Sequence, residues 1–258
     1  PKKMRFASVD RHPHGHMSLS SSYEGYAPVT YLSYDEVSKW TEEDHRIAPH
    51  ALFTLAELKD VLKKTGGQVL WPDHAEEGTE EGELHHQLLE REYEYVQVKG
   101  MDPRKDSYSA FRDNMGNPTK LAQELHARGV KRLFVTGLAM DYCVGWSCED
   151  AVKEGFEVFI IIDATASVGF PEGSIDRMKE SFREKGIKVI TTKELVDANN
   201  HMGVFPSGML PEPIAHPPVP EEDESSALEE DMYHLTMAQV LFNEGLHEKP
   251  ATYDYFFR

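Results

Sequence analysis

A carboxylate and an imidazole stand two residues apart in Asp10-Arg11-His12. The apolar run at 4–9 (MRFASV) reads as a strand. Alternate residues of a strand point to one side, so Asp10 and His12 can converge on one point. His14 and His16 follow closely. A carboxylate with imidazoles suits zinc or a similar divalent ion; the competing reading is a loop that happens to be rich in histidine. Trp71-Pro72-Asp73-His74 is a rigid turn whose His74 could complete such a set, or it is a buried tryptophan beside a surface histidine. Cys143 follows the turn 137–142 (GLAMDY) and opens a predicted helix. A thiol at a helix N-terminus has its thiolate favoured by the dipole, and the turn's N–H groups could hold an oxyanion. Against that stands the common buried core cysteine. Lys99 ends a strand and precedes a glycine; near a thiol it would lower the thiol pKa and could relay a proton, whereas on the surface it would do neither.

The elements that must position these residues are clearest over 118–190. Residues 118–128 read as a helix closed by Gly129, and 132–135 as a buried strand. A helix at 143–153 with Gly155 past its end, a strand at 158–162, a helix at 174–185 closed by Gly186 and a strand at 188–190 follow. Strands alternating with helices of this length mean crossover connections and a parallel sheet. Active sites of such sheets lie at the strands' carboxyl ends, where Asp10, Lys99 and the 137–143 turn fall. Leu52, Leu55, Leu58 and Leu62 have helical spacing, with Gly66-Gly67 behind them. Residues 11–49 read as polar and loop-like, 76–94 as a solvated acidic stretch, and Tyr95–Val98 as a strand.

Residues 203–226 hold six prolines and then an acidic run at 221–224, the composition of a stiff, charged linker. Helical spacing returns over 227–246, with Leu228, Met232, Leu235, Gln239 and Phe242 along one face. Three segments are expected: a catalytic domain at 1–203, a linker at 204–226, and the start of a second domain at 227–258.

Of 258 residues, 27 are Lys or Arg and 45 Asp or Glu, a formal charge of −18. That balance argues against a nucleic-acid or anionic-membrane partner. No apolar run approaches the roughly 18 residues of a membrane span, and the basic residues 1–6 are not followed by the apolar stretch of a secretory signal. Cys143 and Cys148 on one helix would stand roughly 8 Å apart, too far to bridge. Free thiols fit a reducing, cytoplasmic compartment.

The sequence resembles the nicotinamidase (pyrazinamidase) branch of the isochorismatase-like cysteine hydrolases. The resemblance rests on SVDRHPHGHMSL (8–19), VLWPDHAEEGT (69–79), VKG (98–100), DSYSAF (106–111) and the run 135–167, which contains GLAMDYCV. It implies a three-layer α/β/α fold with a mostly parallel sheet. It further implies Cys143 as nucleophile on a carboxamide carbon, Lys99 as catalytic lysine, and Asp10, His12 and His74 as metal ligands, with His16 a further ligand or near neighbour. The metal would be zinc, with iron or manganese as alternatives, and would bind the pyridine nitrogen of nicotinamide. Trp71 and Tyr108 would pack against the ring. A cis Leu138–Ala139 peptide and the N–H groups of Ala139 and Cys143 would form the oxyanion hole.

Two departures accompany it. Ala75 stands where the family has a non-nucleophilic cysteine. The family's first strand, central in its sheet and ending in a catalytic aspartate, has no counterpart here. The chain therefore reads as a truncated piece lacking that strand, expected to be inactive and poorly stable by itself. Residues 231–258 resemble the start of nicotinate phosphoribosyltransferase, which implies a nicotinate-binding role for Tyr233 and a bifunctional NAD-salvage protein. A homo-oligomer is compatible with all of this. A fold retained without catalysis, and a related hydrolase acting on another amide or ester, are the competing readings.

Overall fold

The computed structural model describes residues 4–89, 92–200 and the backbone of 238–242. The linker at 204–226 and most of 227–258, Tyr233 included, lie outside the described residues.

The main sheet is built from β1 (Arg5–Asp10), β4 (Tyr95–Lys99), β5 (Arg132–Leu138), β6 (Glu157–Ala166), β7 (Lys188–Ile190) and β8 (Ala238–Phe242), in the order β4-β1-β8-β5-β6-β7. β1 runs parallel to β4, and β5, β6 and β7 run parallel to one another. Neighbouring residues of β5 and β6 face opposite sides, as the two-residue repeat of a strand requires. Leu133, Val135, Val158 and Ile160 enter one core with Leu121 and Leu125 of α4 (Leu121–Ala127), Val144, Cys148 and Ala151 of α5 (Gly145–Lys153) and its entry turn, and Met178 and Phe182 of α6 (Ser174–Lys185). Phe134, Phe159 and Ile161 enter another with Ile190 and Leu195, the latter on α7 (Thr192–Asn200). Near-continuous apolar runs are what strands covered on both faces need.

β2 (Thr30–Ser33) and β3 (Gly67–Leu70) form a separate antiparallel pair. α1 (Tyr34–Val37) follows β2, and α2 (Leu55–Thr65) precedes β3. Thr54 and Glu57 make a reciprocal cap at the start of α2, and Gly66 ends it in the left-handed region at φ 86°. Leu52 lies outside this helix and is exposed. A short α3 (His86–Leu89) interrupts the acidic stretch. Among the described residues no helix is long and apolar enough to cross a membrane.

Three expectations are corrected. Residues 11–49 contain β2 and α1, because Leu32 and Val37 fit the core over α2 despite polar neighbours. Gln239 and Phe242 lie on a strand, not on a helix spanning 227–246: β8 pairs antiparallel with β1 (Val9 opposite Ala238) and with β5 (Gly137 opposite Gln239). The central position expected to be without a strand is therefore occupied, with reversed polarity, by the segment that satisfies the ladder groups of both neighbours. Finally, the helix behind Cys143 begins at Gly145. Residues Met140–Val144 form one wide turn, with Tyr142 at the non-helical φ −129°, ψ −108°.

Candidate active site

The parallel register sets Asp10 directly beside Lys99, each the last residue of its strand. Lys99 Nζ stands 2.8 Å from Asp10 Oδ1 and donates to the Ser107 carbonyl at 2.7 Å and to Cys143 Sγ at 3.4 Å. The thiol faces Asp10 Oδ2 at 4.0 Å. β5 delivers Cys143 to this point through the wide turn, and the Leu138–Ala139 peptide is cis. Asp10, Lys99 and Cys143 are all buried.

Asp10, His12 and His74 bring one donor atom each within 4.8 Å of one another. The His12 ring is oriented by Nδ1 on the Gly100 carbonyl at 2.9 Å, and the His74 ring by Nδ1 on the Pro72 carbonyl at 2.8 Å. With Nδ1–H donated to a carbonyl, each ring keeps its Nε2 lone pair for a ligand. Asp10 Oδ1 is buried between the Lys99 ammonium at 2.8 Å and His12 Nε2 at 3.7 Å. A carboxylate and two imidazole lone pairs suit a divalent cation of the zinc type. Gly100 completes the cradle: at φ 74°, a Cβ there would lie 2.6 Å from His12 Cε1 and 2.9 Å from Asp10 Oδ1. His16 is placed differently. Its ring is 4.4 Å from that of His12, but Nε2 meets the Lys105 carbonyl at 3.2 Å, and Nδ1 meets Ser18 Oγ at 2.8 Å and accepts from Ser18 N. Both ring nitrogens are thus engaged.

Trp71 and Tyr142 meet edge to face with ring centres 4.8 Å apart, and Tyr108 meets Tyr142 at 5.3 Å. With Val69, Ala139, Leu138, Val168 and Phe170 these rings form the apolar wall around Cys143. The far side of the wall is held by Asp141, whose carboxylate accepts from Val168 N, Gly169 N and Ser174 Oγ, while Tyr142 donates to the Phe170 carbonyl.

The charges are unequal in strength. Burial works against the Asp10 carboxylate, but Lys99, His12 and His74 outweigh it and keep its pKa below the usual value. Burial likewise disfavours the Lys99 ammonium, yet Asp10 and the thiol hold it cationic. Burial lowers His12, and His16 to about 4, so both rings are neutral near pH 7. The Cys143 thiol is pushed up to about 12 by burial, against the pull of Lys99. This differs from the sequence expectation of a thiolate favoured by a helix end: desolvation of a buried sulfur wins over the dipole of a helix that starts two residues later.

Sequence reasoning missed Gly100, Asp106, Gln68 and Asp141 as parts of the site. Gly100 had a signal in the Lys-Gly pair at a strand end. Asp106 and Asp141 lie in the runs DSYSAF and GLAMDYCV with no role read for either, and Gln68 had no local signal because its partner Asp106 is 38 residues away.

The isochorismatase domain family matches residues 39–194. The chain is 30% identical to a nicotinamidase of Acinetobacter baylyi over 72% of its length and 74% of the relative's. It is 32% identical to a nicotinamidase of Schizosaccharomyces pombe, over 73% and 74%. A solved nicotinamidase pyrazinamidase of Acinetobacter baumanii superposes with a TM-score of 0.58 at 28% identity, covering 73% of this chain and 77% of that one. The chain belongs to the isochorismatase domain family.

Proposed function

We propose that this chain carries the nicotinamidase site of an NAD-salvage protein, converting nicotinamide to nicotinate and ammonia. The observation that carries the reading is the meeting of Cys143, Lys99 and the Asp10–His12–His74 donor set beneath one aromatic wall. It is supported by the likeness to the nicotinamidases above.

Asp10, His12 and His74 would hold zinc or a similar ion, which supplies a Lewis-acid contact for the pyridine nitrogen. Trp71 and Tyr108 flank the ring, and His16 buttresses His12. Cys143 gives its proton to Asp10 Oδ2, the carboxylate it faces at 4.0 Å, as Sγ attacks the carboxamide carbon, with Lys99 at 3.4 Å stabilising the thiolate as it forms. Because Lys99 is held cationic, its part is electrostatic and not that of a base. The N–H groups of Ala139 and Cys143 receive the developing oxyanion. Asp10 passes that proton to the amide nitrogen, ammonia departs, and water then cleaves the thioester on Cys143 to release nicotinate.

The missing family aspartate implied an inactive chain; because Asp10 Oδ2 faces the thiol at 4.0 Å, turnover by these 258 residues is expected to be weak instead. The carboxylate the thiol faces is Asp10, which already serves Lys99 and the cation. That double duty is also what favours the second reading, a fold retained without catalysis. By sequence we assign 231–258 to the start of a nicotinate phosphoribosyltransferase domain, with Tyr233 at its nicotinate site and 204–226 as the linker, in a cytoplasmic bifunctional protein; in this chain 238–242 of that segment fills the central place of the first domain's sheet as β8. Nicotinate formation from nicotinamide, followed by chromatography with added zinc and again with a chelator, tests the first activity. Slow, chelator-sensitive formation supports it, and no product under either condition leaves the second reading.

A further inference from the structure

We propose that Asp106 and Gln68 are a positioning pair for the reaction. They set the Ser107 carbonyl against the Lys99 ammonium and the Tyr108 ring in the aromatic wall. The inference rests on the nicotinamidase reading for its substrate, but its structural claim stands apart from it.

Both residues are only 3% exposed, and their contacts link the two halves of the site. Asp106 Oδ1 accepts from Ser107 N at 2.7 Å, which fixes the peptide immediately before the one whose carbonyl meets Lys99. Asp106 Oδ2 accepts from Gln68 Nε2 at 2.9 Å. The same amide nitrogen is 3.1 Å from Tyr108 Oη and 2.9 Å from the Val69 carbonyl. Every partner of that nitrogen is an acceptor, so the orientation of the amide follows from the network. Asn114 N donates to the Asp106 carbonyl, holding the loop from its outer side. A buried carboxylate satisfied in this way is strong and directional, and losing its complementarity is costly. The ring position and the lysine position therefore depend on one carboxylate that touches neither substrate nor sulfur.

An acceptor-to-donor exchange tests the pair in the whole chain. Asp106→Asn keeps the shape but sets an amide donor against the Gln68 amide. Gln68→Glu combined with Asp106→Asn restores one donor facing one acceptor between the two side chains, while a carboxylate oxygen now faces the Val69 carbonyl. The readout is the rate at which iodoacetamide modifies Cys143, followed by peptide mass, with thermal melts alongside. Asp106→Asn is expected to slow the modification about 10–100-fold as Lys99 loses its anchor, and the swap to recover part of it. Plain removal of a nearby negative charge would instead speed the reaction, because that charge disfavours the thiolate. An unchanged or faster rate in Asp106→Asn, or a swap as slow as the single variant, overturns the proposal. If wild type hydrolyses nicotinamide, Asp106→Asn should also raise KM through Tyr108 and lower kcat through Lys99, a split that simple loss of folded protein cannot produce. If it does not, the functional reading fails, while the alkylation series still decides the positioning claim.

Discussion

Replacing Lys99 with methionine isolates the buried ion pair. The Lys99 and Asp10 side chains are 0% and 4% exposed and 2.8 Å apart. Methionine fills similar volume but leaves Asp10 as a buried, unpaired carboxylate and strips the Ser107 carbonyl of its donor. Breaking a buried pair in this way costs about 3–5 kcal/mol. For a domain of this size each kcal/mol moves the midpoint about 2–4 °C, so Lys99→Met should melt about 6–20 °C below wild type in chelator at pH 7. The pH dependence gives a second handle. In wild type the Asp10 pKa is depressed, so its contribution is present above the unfolded carboxyl pKa and is lost as pH falls through the folded value. Without Lys99, burial dominates and the Asp10 pKa rises above the unfolded value. Its penalty then fades as the group takes up a proton, and the gap to wild type narrows from pH 7 toward pH 4. Adding Asp10→Asn to Lys99→Met removes the orphan charge and should recover part of the loss. A Lys99→Met melt within about 2 °C of wild type at pH 7 would refute the reasoning, since the cost of an unpaired buried charge sets the scale.

Gly100→Ala should weaken zinc binding at least tenfold by calorimetry, because its methyl would press on His12 and Asp10 at positive φ; unchanged affinity would separate Gly100 from the metal cradle. In the metal-free chain, alkylation of Cys143 should rise about tenfold per pH unit from pH 7 to 10, as expected for a thiol titrating near 12. A plateau by pH 9 would show a far less buried sulfur. Residues 1–203 expressed alone lack β8 and would bare the facing edges of β1 and β5. Such a piece should melt lower and self-associate in light scattering, and a monodisperse protein of wild-type stability would contradict the role of β8 in the sheet.

Much of this arrangement was legible in the residues because local rules and tertiary structure agree. Asp10 and Lys99 end apolar runs, and a parallel register sets such ends side by side. Cys143 follows a buried strand, so it must appear at the same rim. His74 was legible only as a candidate, since nothing local says that a turn 62 residues later closes on Asp10 and His12. The segment at 238–242 shows where local reading loses: its apolar spacing fits a helix, but two strands with unsatisfied ladder groups make a strand of it. The thiol shows the same conflict in electrostatics, where burial overrides a helix end. Gln68 and Asp106 carry no periodic signal, and their pairing spans 38 residues.

Ammonia release from nicotinamide and from benzamide by the zinc-loaded chain, with Cys143→Ala as control, tests the central claim most directly. Slow release from nicotinamide that Cys143→Ala abolishes, with benzamide far slower for want of a ring nitrogen, is the predicted result. Equal release from the two amides, or release that survives Cys143→Ala, would contradict it.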